Sequence, residues 1–290
     1  MILLLASTGG SANDQPIQAI DATGQPITLT APARRVITLA PNLTEILFAA
    51  GAGAQVKGVV DFSNYPPQAQ ALPHVGSFEQ FDLEKILSLN PDLIVAWQSG
   101  NPANQLNRLK KLGLPLFITD QKSLEEIAND IEKMGYLTGT QTTAAPVAAR
   151  FRAKLSQLQK LFSNKKSLAI FYQVWHQPLM TINQQSLIND VIQLCGGRNI
   201  FANLETIAPT INIEAVLTAD PEVIVASGMD VQRPEWLDAW RRWKRLKAVV
   251  LDNLFFIPPD LIQRHGPRML EGAEILCHQL EQARQKNMMP

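Results

Sequence analysis

Cysteine is nearly absent. Cys195 and Cys277 are the two in 290 residues, too few for a four-thiolate zinc site or a cysteine-ligated iron–sulfur cluster. Net charge is absent as well: 26 Lys and Arg offset 26 Asp and Glu. The chain as a whole therefore carries no field to hold a phosphate backbone or an acidic membrane, which argues against a nucleic-acid partner. No apolar run approaches the ~20 residues that cross a bilayer. The sequence has no GxSxG elbow, Walker A loop, HExxH pair or CxxC, so the common signatures of hydrolases, nucleotide enzymes and zinc proteases are missing. GAGAQVKG from Gly51 imitates a dinucleotide fingerprint, but it follows a helical pattern and lacks the third glycine. His74, His176, His265 and His278 stand at no tight ligand spacing.

What is present is apolar: 46% hydrophobic against 18% charged residues, which suits a large packed core. The length suits two domains at ~150 residues each. The opening MILLLA, followed by small residues to Ala12, reads as the back half of a secretory signal without its basic start. The mature chain then begins near Asn13, in the periplasm. The alternative is an apolar tail on a cytosolic protein.

Strand and helix patterns alternate along the chain. Two strand-like runs within 17–30 flank Thr23-Gly24 as a hairpin. Buried strands are expected at 36–40, 57–61, 93–97 and 115–119. Asn42 with Glu45 reads as a capping box for a helix ending at Gly51, and Ser123 with Glu126 as another. Val147, Phe151, Leu155, Leu158 and Phe162 recur at helical spacing and predict a long helix. Beyond it, strands at 167–174, 222–226 and 254–257 alternate with helices at 186–195, 236–243 and 267–284. The fold class is α/β with parallel sheets.

An internal repeat orders these elements. LEKILSLNPDLIVA (83–96) aligns without gaps on IEAVLTADPEVIVA (213–226), with six identities at an offset of 130. Asp82 or Asn212 caps each helix start, and Glu84 or Glu214 follows two residues later. The reading is two similar α/β lobes, 13–141 and 166–290, joined by one rigid helix over 142–165. The helix dipole alone favours a carboxylate at such a position; the alternative is a matched anionic knob on the same surface of each lobe. Phe62, Tyr65, Phe78 and Trp97 fall at or just past strand ends in the first half, Trp175 and His176 in the second. That is where open α/β sheets bind ligands. Phe62 reads as lobe core, whereas Trp97 opens the polar loop QSGN at a cleft. Trp236, Trp240 and Trp243 read as packing.

SNYPPQAQ (63–70), FDLEKILSLNPDLIVAW (81–97), LCGGRNIF (194–201) and RHGPR (264–268) together resemble the cobalamin-binding branch of the helical-backbone periplasmic substrate-binding proteins. The likeness runs over about 35–280. It implies two α/β lobes bridged by a single long helix, with no catalysis and no cofactor apart from a transported ligand. The implied work is capture of cobalamin or a related corrinoid between the lobes by a monomer, and delivery to an ABC permease and ATPase complex in the inner membrane. It further implies docking of Glu84 and Glu214 onto the permease, a Cys195–Cys277 disulfide, ligand contacts from Tyr65 and Trp97, and a charged set of Asp260, Arg264 and Arg268 at the mouth. The chain departs from the family where Phe78 and Ala208 replace tryptophans, and where Trp175 and His176 replace small or aliphatic residues. The candidate ligand set is therefore Tyr65, Phe78, Trp97, Trp175, His176, Asp260 and Arg264. Alternatives are a haem or ferric-siderophore carrier, with His176 or His265 as axial ligand, and a two-domain metalloenzyme using the histidines with Asp260.

Overall fold

The computed structural model describes residues 16–228 and 232–286; the expected signal segment lies outside them. A hairpin opens the described chain, β1 (Ile17–Ile20) pairing antiparallel with β2 (Pro26–Leu29). Gly24 supplies the positive φ of its turn, +79°. Strands β3 (Val36–Thr38), β4 (Val56–Gly58), β5 (Leu93–Trp97) and β6 (Leu116–Thr119) form a parallel sheet in the order β4-β3-β5-β6. After β7 (Leu168–Gln173) comes a short hairpin, β8 (Trp175–His176) with β9 (Leu179–Met180). Then β10 (Gly197–Asn199), β11 (Val223–Ala226) and β12 (Leu254–Phe256) complete a second parallel sheet, ordered β10-β7-β11-β12. Counted within each half, the order is 2-1-3-4 both times. LIVA and VIVA of the sequence repeat are the equivalent third strands, fully buried because helices cover both faces.

Helices α1 (Pro41–Ala49), α2 (Leu83–Ser88), α3 (Ala103–Lys111) and α4 (Leu124–Thr138) belong to the first half. The 22-residue α5 (Gln141–Phe162) crosses to the second, ~33 Å at 1.5 Å per residue. There α6 (Leu187–Leu194), α7 (Ile213–Ala219), α8 (Lys247–Val250), α9 (Pro259–Ile262) and α10 (Met269–Lys286) follow. The repeat extends to capping detail. Asp82 accepts from Lys85 N and Asn212 from Ala215 N, both at 2.9 Å. Asp92 accepts from the backbone N–H of Arg34 and Arg35 ahead of β3, and Glu222 from Ala169 N in β7.

A single apolar cluster runs from Val36, Leu93 and Val95 beneath α4 and α5 (Ile131, Phe151, Leu158) to Leu168, Tyr172 and Val223. The two halves therefore share a core through α5. That helix is also tied on both sides by charge: Arg152 binds Glu125, Asn129 and Glu132 on α4, and Lys154 meets Glu274 on α10. Cys195 and Cys277 form a disulfide that staples the end of α6 to α10, both residues fully buried. Leu270, Ala273 and Leu280 share that buried face of α10.

Four readings of the sequence are corrected. The Asn42/Glu45 capping box does not form: α1 starts two residues earlier, with Pro41 at its first position and Ala40 as N-cap. Ser123 is the N-cap of α4, but its hydroxyl makes no cap bond; Glu126 instead accepts from Lys122 N. The segment 236–243 is a tight 3₁₀ helix over Glu235–Arg242 rather than an α-helix. Phe62 is not lobe core: its φ of +64° turns the ring outward, leaving it 71% exposed.

Candidate functional site

The loops at the carboxyl ends of β3, β4 and β5 build one wall. Buried Asn101 gathers them: its Nδ2 donates to Leu39 O (2.8 Å) and Phe78 O (3.0 Å), and its Oδ1 accepts from Trp97 N (2.8 Å). Gly100 is required here, because a Cβ would sit 1.8 Å from the Trp97 ring lying over it. Thr44 donates to Ser63 Oγ at 3.2 Å, holding the loop that carries Asn64 and Tyr65 against α1.

The facing wall is the stretch from α9 into α10, and it meets the first across the lobes. Glu45 on α1 has a side chain only 1% exposed. Arg268 grips it with two bonds, Nε to Oε2 at 2.9 Å and Nη2 to Oε1 at 2.6 Å, and Arg264 reaches it at 3.5 Å. Arg264 also donates to Asn64 Oδ1 (2.6 Å) and pairs with Asp260 (2.8 Å). The Arg268 guanidinium lies 3.9 Å over the Tyr65 ring. Two carboxylates and two guanidiniums are thus matched within one enclosed network. Beside them His265 packs its ring edge-on against Trp97, centroids 5.2 Å apart, while Asn42 Nδ2 donates to His265 O at 3.5 Å. Burial pushes the His265 imidazole down to about 4, against the pull of Asp120, so it is neutral near pH 7. Trp97 Nε1 and His265 Nδ1 are enclosed without a protein partner.

Of the residues singled out in the sequence, Tyr65, Trp97, Asp260, Arg264 and Arg268 come together where the lobes meet. Phe78, 36% exposed, joins them through Asn101. A cavity of about 950 Å³ lies beside this set on the first half, lined by Arg35, Glu45, Phe48, Val56, Tyr65 and Leu72, with Pro267 and Arg268 at its edge. Trp97 and Phe78 lie outside it. Trp175 and His176 form a separate aromatic group on the second lobe, with Trp236 against both. Glu84 and Glu214 are exposed in the first turns of α2 and α7, one per lobe. Among the described residues, no three His, Cys, Asp or Glu side chains gather to hold a metal. Nor is any described helix long and apolar enough to cross a membrane.

Sequence reasoning missed Glu45, Asn64 and the packing of His265 on Trp97. Glu45 had a local explanation as a cap and its partners lie more than 200 residues away. One signal was available: a lone carboxylate in the apolar run LTEILFAAG, which needs a cation if that run is buried.

Comparison with known proteins places this geometry. The family model described as periplasmic binding protein matches residues 36–261. The chain is 37% identical to the vitamin B12-binding protein of Vibrio cholerae serotype O1 over 256 residues, covering 88% of this chain and 92% of the relative. It is 36% identical to the vitamin B12-binding protein of Yersinia pestis over 255 residues, 87% of this chain and 89% of that one. Among solved structures, the crystal structure of the periplasmic vitamin B12-binding protein of Vibrio cholerae superposes with a TM-score of 0.81, covering 87% of this chain and 98% of that chain. The apo periplasmic heme-binding protein of Roseiflexus sp. RS-1 superposes with a TM-score of 0.75 at 22% identity, over 87% of this chain and 99% of that chain, a likeness of fold.

Proposed function

The chain belongs to the periplasmic binding protein family, and from that premise we propose that it captures cobalamin or a related corrinoid between its lobes, in the periplasm, and hands it to an ABC permease. The observation that carries this reading is the placement of Tyr65 and Trp97. Both rings lie where the two lobes meet, one beneath Arg268 and the other against His265. A corrin offers a broad apolar face and an amide-rich rim, which aromatic rings and short polar groups recognise together. The work assigned is binding, with Tyr65, Phe78, Trp97, Trp175, His176, Asp260 and Arg264 as the contact set and the lobes 13–141 and 166–290 as its two walls. Visible absorbance of the purified protein after incubation with cyanocobalamin, haemin and a ferric siderophore tests it. Retention of the cyanocobalamin spectrum through gel filtration is expected; retention of haemin alone replaces the corrinoid with a haem.

Trp97→Ala is expected to weaken cyanocobalamin binding by roughly 1–3 kcal/mol, the range for truncating an aromatic at a binding site. Calorimetry gives the number, and an unchanged affinity returns Trp97 to a packing role.

Glu84 and Glu214 are assigned to the permease. Each is exposed at the second position of equivalent helices, so the two lobes present the same carboxylate at equivalent places. Contacts of this kind set docking register and association rate, and reversing the charge is worse than removing it. The double variant Glu84→Lys, Glu214→Lys should bind ligand normally and fail in uptake through a reconstituted transporter. Normal uptake, or lost ligand binding, refutes the assignment.

A further inference from the structure

Resting on the corrinoid reading above, we propose that His176, Trp236 and Arg242 form a subsite for the nucleotide loop of the ligand, the aromatic base joined to a phosphodiester that hangs below the corrin ring. The His176 and Trp236 rings lie 5.3 Å apart and 15° from parallel. Rings packed elsewhere in this lobe meet edge to face, as Phe171 does with Phe201 and Trp240 at 85° and 77°. A parallel pair presents a flat π-surface, and this one reaches solvent: His176 is exposed and Trp236 half-buried. Trp175 holds the pair in place. It contacts both rings, at 4.8 Å and 6.5 Å, and its Nε1 donates to Gln177 O at 2.9 Å within the same hairpin.

Next to the shelf is a cavity of about 310 Å³, lined by both rings with Leu179, Trp240, Trp243 and Arg242. Arg242 is exposed and spends one bond on Ala239 O. No carboxylate pairs with it among the described residues, whereas neighbouring Arg241 is held by Asp238 and Asp252. A flat apolar shelf with an uncommitted guanidinium at its edge matches a base tethered to a phosphate, the base by stacking and the phosphate by charge-assisted hydrogen bonds. The amide rim of the macrocycle matches neither part.

Its position fits one continuous ligand site. The hairpin leaves the carboxyl end of β7, and Trp236 stands beyond the carboxyl end of β11. A Cβ on Gly228 would lie 3.5 Å from the Trp236 ring, and Gly228 O accepts from Gln263 Nε2 at 2.9 Å. Gln263 precedes Arg264, so the shelf adjoins the charged wall.

The experiment compares cyanocobalamin with dicyanocobinamide, which lacks the nucleotide loop, by titration calorimetry on the full chain. Wild type should prefer cyanocobalamin. Trp236→Ala and Arg242→Ala should each weaken cyanocobalamin about tenfold, the scale of one base stacked on an aromatic ring, and leave dicyanocobinamide unchanged. Trp236→Phe should keep most of the preference. Arg242→Ala, at an exposed position, carries the test should Trp236→Ala fail to fold. Equal losses for both ligands, or unchanged cyanocobalamin binding, overturn the subsite and leave the corrinoid reading standing. Binding of neither ligand by wild type overturns both.

Discussion

Replacing Glu45 with methionine should lower the unfolding free energy by about 3–5 kcal/mol, the usual cost of removing one partner from a buried ion pair. The carboxylate neutralises Arg268 and Arg264 in an enclosed place, with two close bonds to the first. Once it is gone, two guanidiniums of the second half, with side chains 14% and 15% exposed, are left side by side with only Asp260 of this network to offset them. Urea titration followed by tryptophan fluorescence measures the loss. The paired variant Glu45→Met, Arg268→Met should recover much of it, because a buried pair exchanged for apolar side chains is often close to neutral. A loss below about 1 kcal/mol for Glu45→Met would put the network in the class of surface pairs and contradict its assignment as a fastening between lobes.

Removing the disulfide should have the other large effect. Cys195 and Cys277 are 82 residues apart in sequence, and a loop of that length contributes about 4–5 kcal/mol in the chain-entropy model. Cys195→Ala with Cys277→Ala should shift the urea midpoint down by a corresponding amount while leaving the second lobe folded in the absence of denaturant. Arg284 supports that outcome: it ties α10 to the same corner through the carbonyls of Lys166, Cys195 and Gly196, independently of sulfur. Equal midpoints for the variant and the oxidised wild type would mean that the covalent link restrains nothing the packing has not already fixed.

The framework was readable because its signals are local. Runs such as LIVAW and VIVA mark strands buried on both faces, and the period of Val147, Phe151, Leu155 and Phe162 marks α5. Both helix caps of the repeat, Asp82 and Asn212, act three residues from where they stand. What escaped was short or distant. A two-residue strand such as β8 has no periodicity to detect, and a three-residue one such as β10 hardly any. Glu45 satisfied a local rule and was spent on a remote one. Phe62 was misplaced because residue type predicts burial only on average, and a left-handed backbone at that position overrides it. The ligand wall was half legible: Tyr65 and Trp97 stood out at strand ends, but nothing near them in sequence announces Arg268 or His265 as neighbours.

The two sheets share one strand order, yet the β8–β9 hairpin has no counterpart in the first half. The scaffold is thus close to a tandem repeat while its lining is not. Charge from both halves fastens the walls together, and the second half adds a ledge of stacked rings. Under the proposed capture, a lopsided guest placed between such unlike surfaces has one orientation that satisfies both, and the extra hairpin selects it. On the proposed reading, the direction in which the ligand loads is set by about six residues (175–180) that the first sheet has no match for.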